Sequence, residues 1–268
     1  MAKSFVASGL LILAALFTTS VQALEFKSSP AVAGIFAAAK VKGTFVLYDV
    51  SAATFTGVDA ERAATRYYPA STFKIPNSLI GLASGAVSSV DEVLPYGGQP
   101  QFIKSWEQDM GLREAIKISN LAVYKELARR IGLARMQAGV RALGYGNGEV
   151  GTRVDTFWLD GPLQISAVEQ ARFLAALAQG QLPFPAEAQA SVREITELEK
   201  GPGWTLYGKT GWNTRYTPGL GWWVGWVEQG GKVYSFALNI DMPNGMADAP
   251  KRVAVGKASL KALGLLAP

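Results

Sequence analysis

The sequence predicts an α+β fold, with an antiparallel sheet built from both chain ends, helices flanking it, and a mainly helical region inserted at roughly residues 75–195. Three observations carry this. Strand patterns cluster near the start and again late in the chain, helical periodicity fills the middle, and one more helical stretch closes the C-terminus. Such segregation marks α+β proteins and not alternating βαβ units.

Taken in order, "KGTFVLYDVSAATFTGV" reads as two strands around a turn, the first carrying Phe45, Val46 and Leu47 and the second running from Thr54 to Val58. "NLAVYKELARRIGLARMQAGVRALG" reads as one long helix, because Leu121, Tyr124, Leu127 and Ile131 recur on one face. "SAVEQARFLAALAQG" and the terminal "KRVAVGKASLKALG" are further helices. Ahead of the latter, "GWTLYGKTGW" supplies a strand. "GLGWWVGWVEQGGKVYSFALNID" supplies two more, joined across Glu228-Gln229-Gly230-Gly231, a hairpin signal.

The first 23 residues, "MAKSFVASGLLILAALFTTSVQA", stand outside this fold. Lys3 gives a positive start, Val6 to Phe17 an apolar run, and Val21-Gln22-Ala23 a small-x-small cleavage site, so a secretory signal is expected at 1–23 and one domain over 24–268. The run is shorter than the about 20 residues needed to span a bilayer, so no retained membrane anchor is expected. Export to a bacterial periplasm follows.

The 268 residues contain neither histidine nor cysteine. Stability must then come from a buried core without disulfides, and a zinc site has lost its usual ligands. No metal is expected. The net charge of +5 is spread along the chain without a basic run, which gives nucleic-acid binding little support and implies at most a mild preference for anionic small molecules.

Hydrolytic chemistry here would have to work without an imidazole or thiolate, which draws attention to Ser71 and Lys74 in "YYPASTFKIPN". If a helix begins after Pro69, the two side chains share one face and can meet. Taken alone, the pair is equally a capped helix start with a surface lysine. The apolar neighbours Phe73, Ile75, Leu79 and Ile80 favour burial of Lys74. Burial lowers the proton affinity of an amine that would otherwise be neutral in roughly 1 in 2,500 molecules at pH 7. "YGKTGW" places Lys209, Thr210 and Gly211 on a strand that glycines leave open to a ligand, and the same residues would serve as a plain strand end. Ser119, at the start of the long helix, is a cap or a proton relay. Tyr145 in "YGN" belongs to a glycine-rich turn or to a cleft wall.

Ser-x-x-Lys, a mid-chain serine about 48 residues on, and Lys-Thr-Gly about 90 residues beyond that, in this order, resemble the penicillin-recognising serine enzymes. Within that group, "PASTFKIPNSLIGL", "YGN", "FWLDGPLQISAVEQ" and "GKTGW" resemble the class D β-lactamases, the oxacillinases, over essentially the whole mature length. The Ser-Asp-Asn and Glu-x-x-Leu-Asn stretches of class A are missing.

The resemblance implies a β-lactamase/transpeptidase-like fold and a β-lactam substrate. Ser71 would be the acylated nucleophile, and Lys74 would carry an N-carboxylate drawn from carbon dioxide or bicarbonate, with no other cofactor. Trp158 would steady that carbamate through its indole N–H, and Ser119 would relay protons. Lys209, Thr210 and Gly211 would line the opposite wall. The N–H groups of Ser71 and Trp212 would form the oxyanion hole, and Arg252 would bind the substrate carboxylate. Where the family usually has Ser-x-Val, this chain has Ser119-Asn120-Leu121, a larger residue beside the carbamate. The same machinery also serves penicillin-binding D,D-peptidases and β-lactam sensors that are acylated without turnover.

Overall fold

The structure is a computed structural model that describes residues 25–266; the expected signal segment lies outside the described residues. The chain opens with a three-residue strand β1 (Phe26–Ser28), helix α1 (Pro30–Ala39), strands β2 (Gly43–Asp49) and β3 (Thr54–Val58), and short α2 (Ala60–Ala64). A 3₁₀ turn (Ala70–Phe73) then runs directly into α3 (Lys74–Ala83). The inserted region continues through α4 (Leu112–Lys117), α5 (Leu121–Ile131), α6 (Leu133–Ala142), α7 (Phe157–Asp160), α8 (Ala167–Ala178) and α9 (Ala186–Ile195). Strands β4 (Glu197–Gly201), β5 (Trp204–Asn213), β6 (Gly219–Gln229) and β7 (Lys232–Met242) follow, and α10 (Ala249–Ala262) closes the fold.

The seven strands form one sheet in the order β1-β3-β2-β7-β6-β5-β4. Both chain ends therefore meet at its centre, where β2 pairs with β7. The sheet departs from the expected all-antiparallel pattern at one edge. β1 runs parallel to β3, because α1 separates β1 from the β2–β3 hairpin and reverses the chain before β2 begins. The β6–β7 turn forms where expected: Gln229 pairs with Lys232, and Gly230 and Gly231 both have positive φ (58° and 73°), as a two-residue hairpin turn requires.

The stretch read as one long helix is two. Gly132, at φ 78° and ψ 157°, leaves the helical region and divides α5 from α6, which an unbroken apolar period cannot reveal. Ser166 caps α8 in a reciprocal box with Glu169.

Side chains alternate across the sheet. On β6, Trp222, Val224 and Trp226 pack under the helical region, while Trp223 and Val227 face α1 and α10. A strand covered on both faces reads as a near-continuous apolar run, which accounts for "GLGWWVGWV". Gly256 on α10 lets that helix close on the sheet, since a β-carbon there would lie 2.1 Å from the Trp223 ring.

β5 is paired with β6 along its whole length, from Trp204–Gln229 to Asn213–Leu220. Its other edge is paired with β4 only from Trp204 to Tyr207. Lys209 to Asn213 thus present an open strand edge toward the helical region, and the site forms there.

Candidate active site

Ser71 lies on the 3₁₀ turn, half-buried, and Lys74 is the first residue of α3. The turn of helix between them brings Lys74 Nζ within 3.0 Å of Ser71 Oγ, to which it donates a hydrogen bond. Ala70, just before the serine, has φ 50°, a left-handed conformation that any β-carbon disfavours. Lys74 is 1 % exposed, and its amine lies 5.2 Å from the centre of the Tyr124 ring on α5. Burial first, and the charge of Lys209 second, push the Lys74 amine well below the ordinary lysine value.

Ser119 occupies the turn between α4 and α5 at φ 60°, with Asn120 as the cap of α5: Val123 N–H donates to Asn120 Oδ1 at 3.3 Å. Asn120 Nδ2 donates to Trp106 O at 3.1 Å, and Trp106 Nε1 to Ile118 O at 3.0 Å, so the serine turn is braced on both sides. Across the cleft, Lys209 Nζ donates to Ser119 Oγ at 3.0 Å. The structure therefore joins Ser119 to Lys209 across elements far apart in sequence, while Ser71 meets Lys74 within one turn of helix.

Gly211 lets β5 pack on the serine turn. A β-carbon there would lie 3.2 Å from both Pro69 O and Thr72 Cγ2, so the Trp212 backbone follows directly beside the turn that carries Ser71. Arg252 reaches over from α10, and its Nη1 donates to Gly211 O at 2.5 Å. Thr210 and Trp212 are half-buried on the same open edge, and Leu121 is half-buried at the first position of α5. Trp158, on α7, stacks on Phe73 with ring centres 5.4 Å apart. Its indole N–H is buried and has no partner among the described residues.

Tyr145 is the exception among the expected site residues. It is fully buried behind the serine turn, edge-on to Phe73, with its hydroxyl donating to Gln170 Oε1 at 3.1 Å. It does not line the cleft, because the glycine-rich turn that carries it tucks the ring inward. Tyr124 and Trp106 had no functional reading in the sequence. Tyr124 looked like any core residue of its helix face, and Trp106 gave no periodic signal.

Electrostatically the cleft is unusual. Lys74, Lys209 and Arg252 are each less than 10 % exposed, and among the described residues none forms an ion pair with a carboxylate. Burial, and then the neighbouring Arg252, lower Lys209 to about 7, and burial lowers Arg252 to about 10. Three buried basic side chains with no carboxylate among them make this cleft suited to anions.

A pH test follows. With no histidine or cysteine, the chain has few groups that titrate near neutrality, but Lys209 does, since its folded value of about 7 lies below the unfolded 10.5. Between these values the unfolded chain binds more protons than the folded one, so stability rises with pH. The cost is complete below pH 7 and fades as the pH approaches 10.5. In carbon-dioxide-free buffer the melting temperature should rise by roughly 5 °C or more from about pH 6.5 to 9, and Lys209→Met should lessen the rise, the remainder coming from Lys74, which burial also lowers. A flat or falling wild-type curve would contradict this account of the cleft.

The fold and the Ser-Lys, Ser, Lys-Thr-Gly arrangement define a class, and comparison with known proteins agrees. Residues 36–261 match the penicillin binding protein transpeptidase domain. The chain is 41 % identical to β-lactamase OXA-5 of Pseudomonas aeruginosa over 234 residues, 86 % of this chain and 87 % of that one. It is 38 % identical to β-lactamase OXA-48 of Klebsiella pneumoniae, over 88 % of this chain and 89 % of the other. The crystal structure of FUS-1 (OXA-85), a class D β-lactamase from Fusobacterium nucleatum subsp. polymorphum, superposes with a TM-score of 0.86 at 43 % identity, covering 90 % of this chain and all of that one. Within the transpeptidase-domain proteins, the chain belongs to the class D serine β-lactamase family.

Proposed function

We propose that this chain hydrolyses β-lactam antibiotics through an acyl-enzyme on Ser71, with N-carboxylated Lys74 as the general base of both half-reactions. The observation that supports it most is the trio of buried basic side chains without a protein carboxylate. A β-lactam brings one carboxylate, suited to Lys209, Thr210 and the Arg252 fork. Carbon dioxide supplies the second anion by adding to the neutral Lys74 amine with loss of one proton. Burial keeps that amine neutral, and the unpartnered indole N–H of Trp158 offers the hydrogen bond such an anion needs.

In acylation, Lys74 takes the Ser71 proton, Ser71 Oγ bonds to the lactam carbonyl carbon, and the ring C–N bond breaks. Ser119, bonded to Lys209, relays that proton from Lys74 to the leaving nitrogen, which returns Lys74 to its basic form. The N–H groups of Ser71 and Trp212 hold the oxyanion. In deacylation, Lys74 takes a proton from water as it attacks the ester carbon, and gives it to Ser71 Oγ as the ester C–O bond breaks. Leu121, larger than the family's valine, either restricts that water's access or repacks. A signal cleaved after Ala23, a single domain over 24–268 and a periplasmic location complete the proposal; no described helix is long and apolar enough to cross a membrane.

The test is to mix purified mature protein with a chromogenic β-lactam and follow product beyond one equivalent. Continued turnover, stimulated by bicarbonate and lost after degassing at low pH, is expected. A burst that stops at one equivalent would replace this reading with that of a D,D-peptidase or a β-lactam sensor.

A further inference from the structure

The turn that carries Ser71 is clamped on every side but the cleft. Tyr68 N–H donates to Tyr216 Oη at 2.9 Å, and Trp222 Nε1 donates to Tyr68 O at 3.0 Å. Thr72 Oγ1, directly after the serine, donates to Pro69 O at 2.7 Å and closes the turn upon itself. From behind, Gln170 Nε2 on α8 donates to that same Thr72 Oγ1 at 2.8 Å, and Tyr145 Oη donates to Gln170 Oε1.

Tyr145, Gln170 and Thr72 are each at most 1 % exposed, so water cannot substitute for a missing partner among them. A buried phenol, which desolvation holds protonated, gives its hydrogen to the Gln170 amide oxygen, with the Thr72 hydroxyl also within its reach; the amide presents N–H to Thr72, and Thr72 donates to Pro69 O. The strained φ of 50° at Ala70 persists only where surrounding contacts enforce it.

We propose that Gln170 is a positioning residue for Ser71: through Thr72 it holds the strained turn in the geometry from which Ser71 Oγ attacks. It touches neither substrate nor Ser71. The inference rests on Ser71 being the nucleophile, as proposed above.

The experiment compares wild type with Gln170→Met, which keeps the side-chain length and breaks both bonds, and with Gln170→Leu, which also removes both the acceptor for Tyr145 and the donor to Thr72. Acylation of Ser71 by a penicillin is timed by rapid quench and mass spectrometry, and deacylation of the preformed adduct is timed separately, well below the melting temperature. Both variants should acylate about 10- to 100-fold more slowly, the scale of a nucleophile displaced by up to about 1 Å. Deacylation should change much less, because water is then the attacking group. Thr72→Val should cost about as much as Gln170→Met, and the double variant little more than either.

Acylation by Gln170→Met within about threefold of wild type, or a parallel fall of both steps as expected for partial unfolding, would overturn the inference. Should Gln170→Met not fold, Thr72→Val breaks the same bond from its other end and carries the same expectation. If wild type itself forms no Ser71 adduct, the proposed function falls and this inference with it. A normal wild-type adduct with unaltered kinetics in the variants removes this inference alone.

Discussion

Replacing Lys74 with alanine is expected to end steady turnover, lowering kcat for a good penicillin by at least about 10²–10⁴-fold, the range that general-base catalysis supplies. The size follows from the site. Among the described residues, Lys74 is the one titratable side chain hydrogen-bonded to Ser71 Oγ, and the chain has no histidine to take its place. Slow acylation should survive, because the serine turn and the open edge of β5 do not depend on the amine, so mass spectrometry should find a long-lived adduct. Stability should move differently. The buried Lys74 amine gives up its proton on folding, so its removal relieves that cost and partly offsets the cavity left behind. In carbon-dioxide-free buffer the melting temperature should fall less than for a core Leu→Ala change. Full turnover by Lys74→Ala would end the carboxylated-lysine reading.

Trp158→Phe is the second large effect. The indole N–H is buried without a partner among the described residues, and it stands on a ring that stacks against Phe73, the residue preceding Lys74. A hydrogen bond to a charged group contributes about 1.5–3 kcal/mol, so deleting the donor should weaken carboxylation roughly 10- to 100-fold. Turnover should become biphasic, with a burst followed by stalling, and millimolar bicarbonate should restore part of it. The stability change isolates the cause: phenylalanine removes a buried donor that had no partner, so only the smaller ring volume counts against the variant. Wild-type bicarbonate dependence in Trp158→Phe would remove Trp158 from the proposed base.

Much of this was legible in the sequence for physical reasons. Strands at both ends and helices between them gave the α+β class, since period 2 and period 3.6 are written in the order of apolar residues. Gly230-Gly231 announced its hairpin because two positive φ values are cheap only for glycine. Ser71 and Lys74 were legible as a pair because three residues along a helix make side-chain neighbours. Gly132 was not legible as a break, because a glycine within an apolar period can continue a helix or end it, and the packing of α5 against α6 decides. The parallel pairing of β1 was equally hidden, because a three-residue strand carries almost no pattern.

By itself, then, the sequence determined the class of fold, the absence of imidazole and thiol chemistry, and the serine–lysine pair with its expected burial. Tertiary structure decided what those residues face. Lys209 meets Ser119 across 90 residues, and Gln170 reaches Thr72 across 98. It also drew Tyr145 away from the cleft into the support of the nucleophile turn. Local propensity acts over a few residues, whereas the gathering of three basic side chains around one open strand edge is set by how the sheet and the inserted helices close on each other. No spacing within a single element could have encoded it.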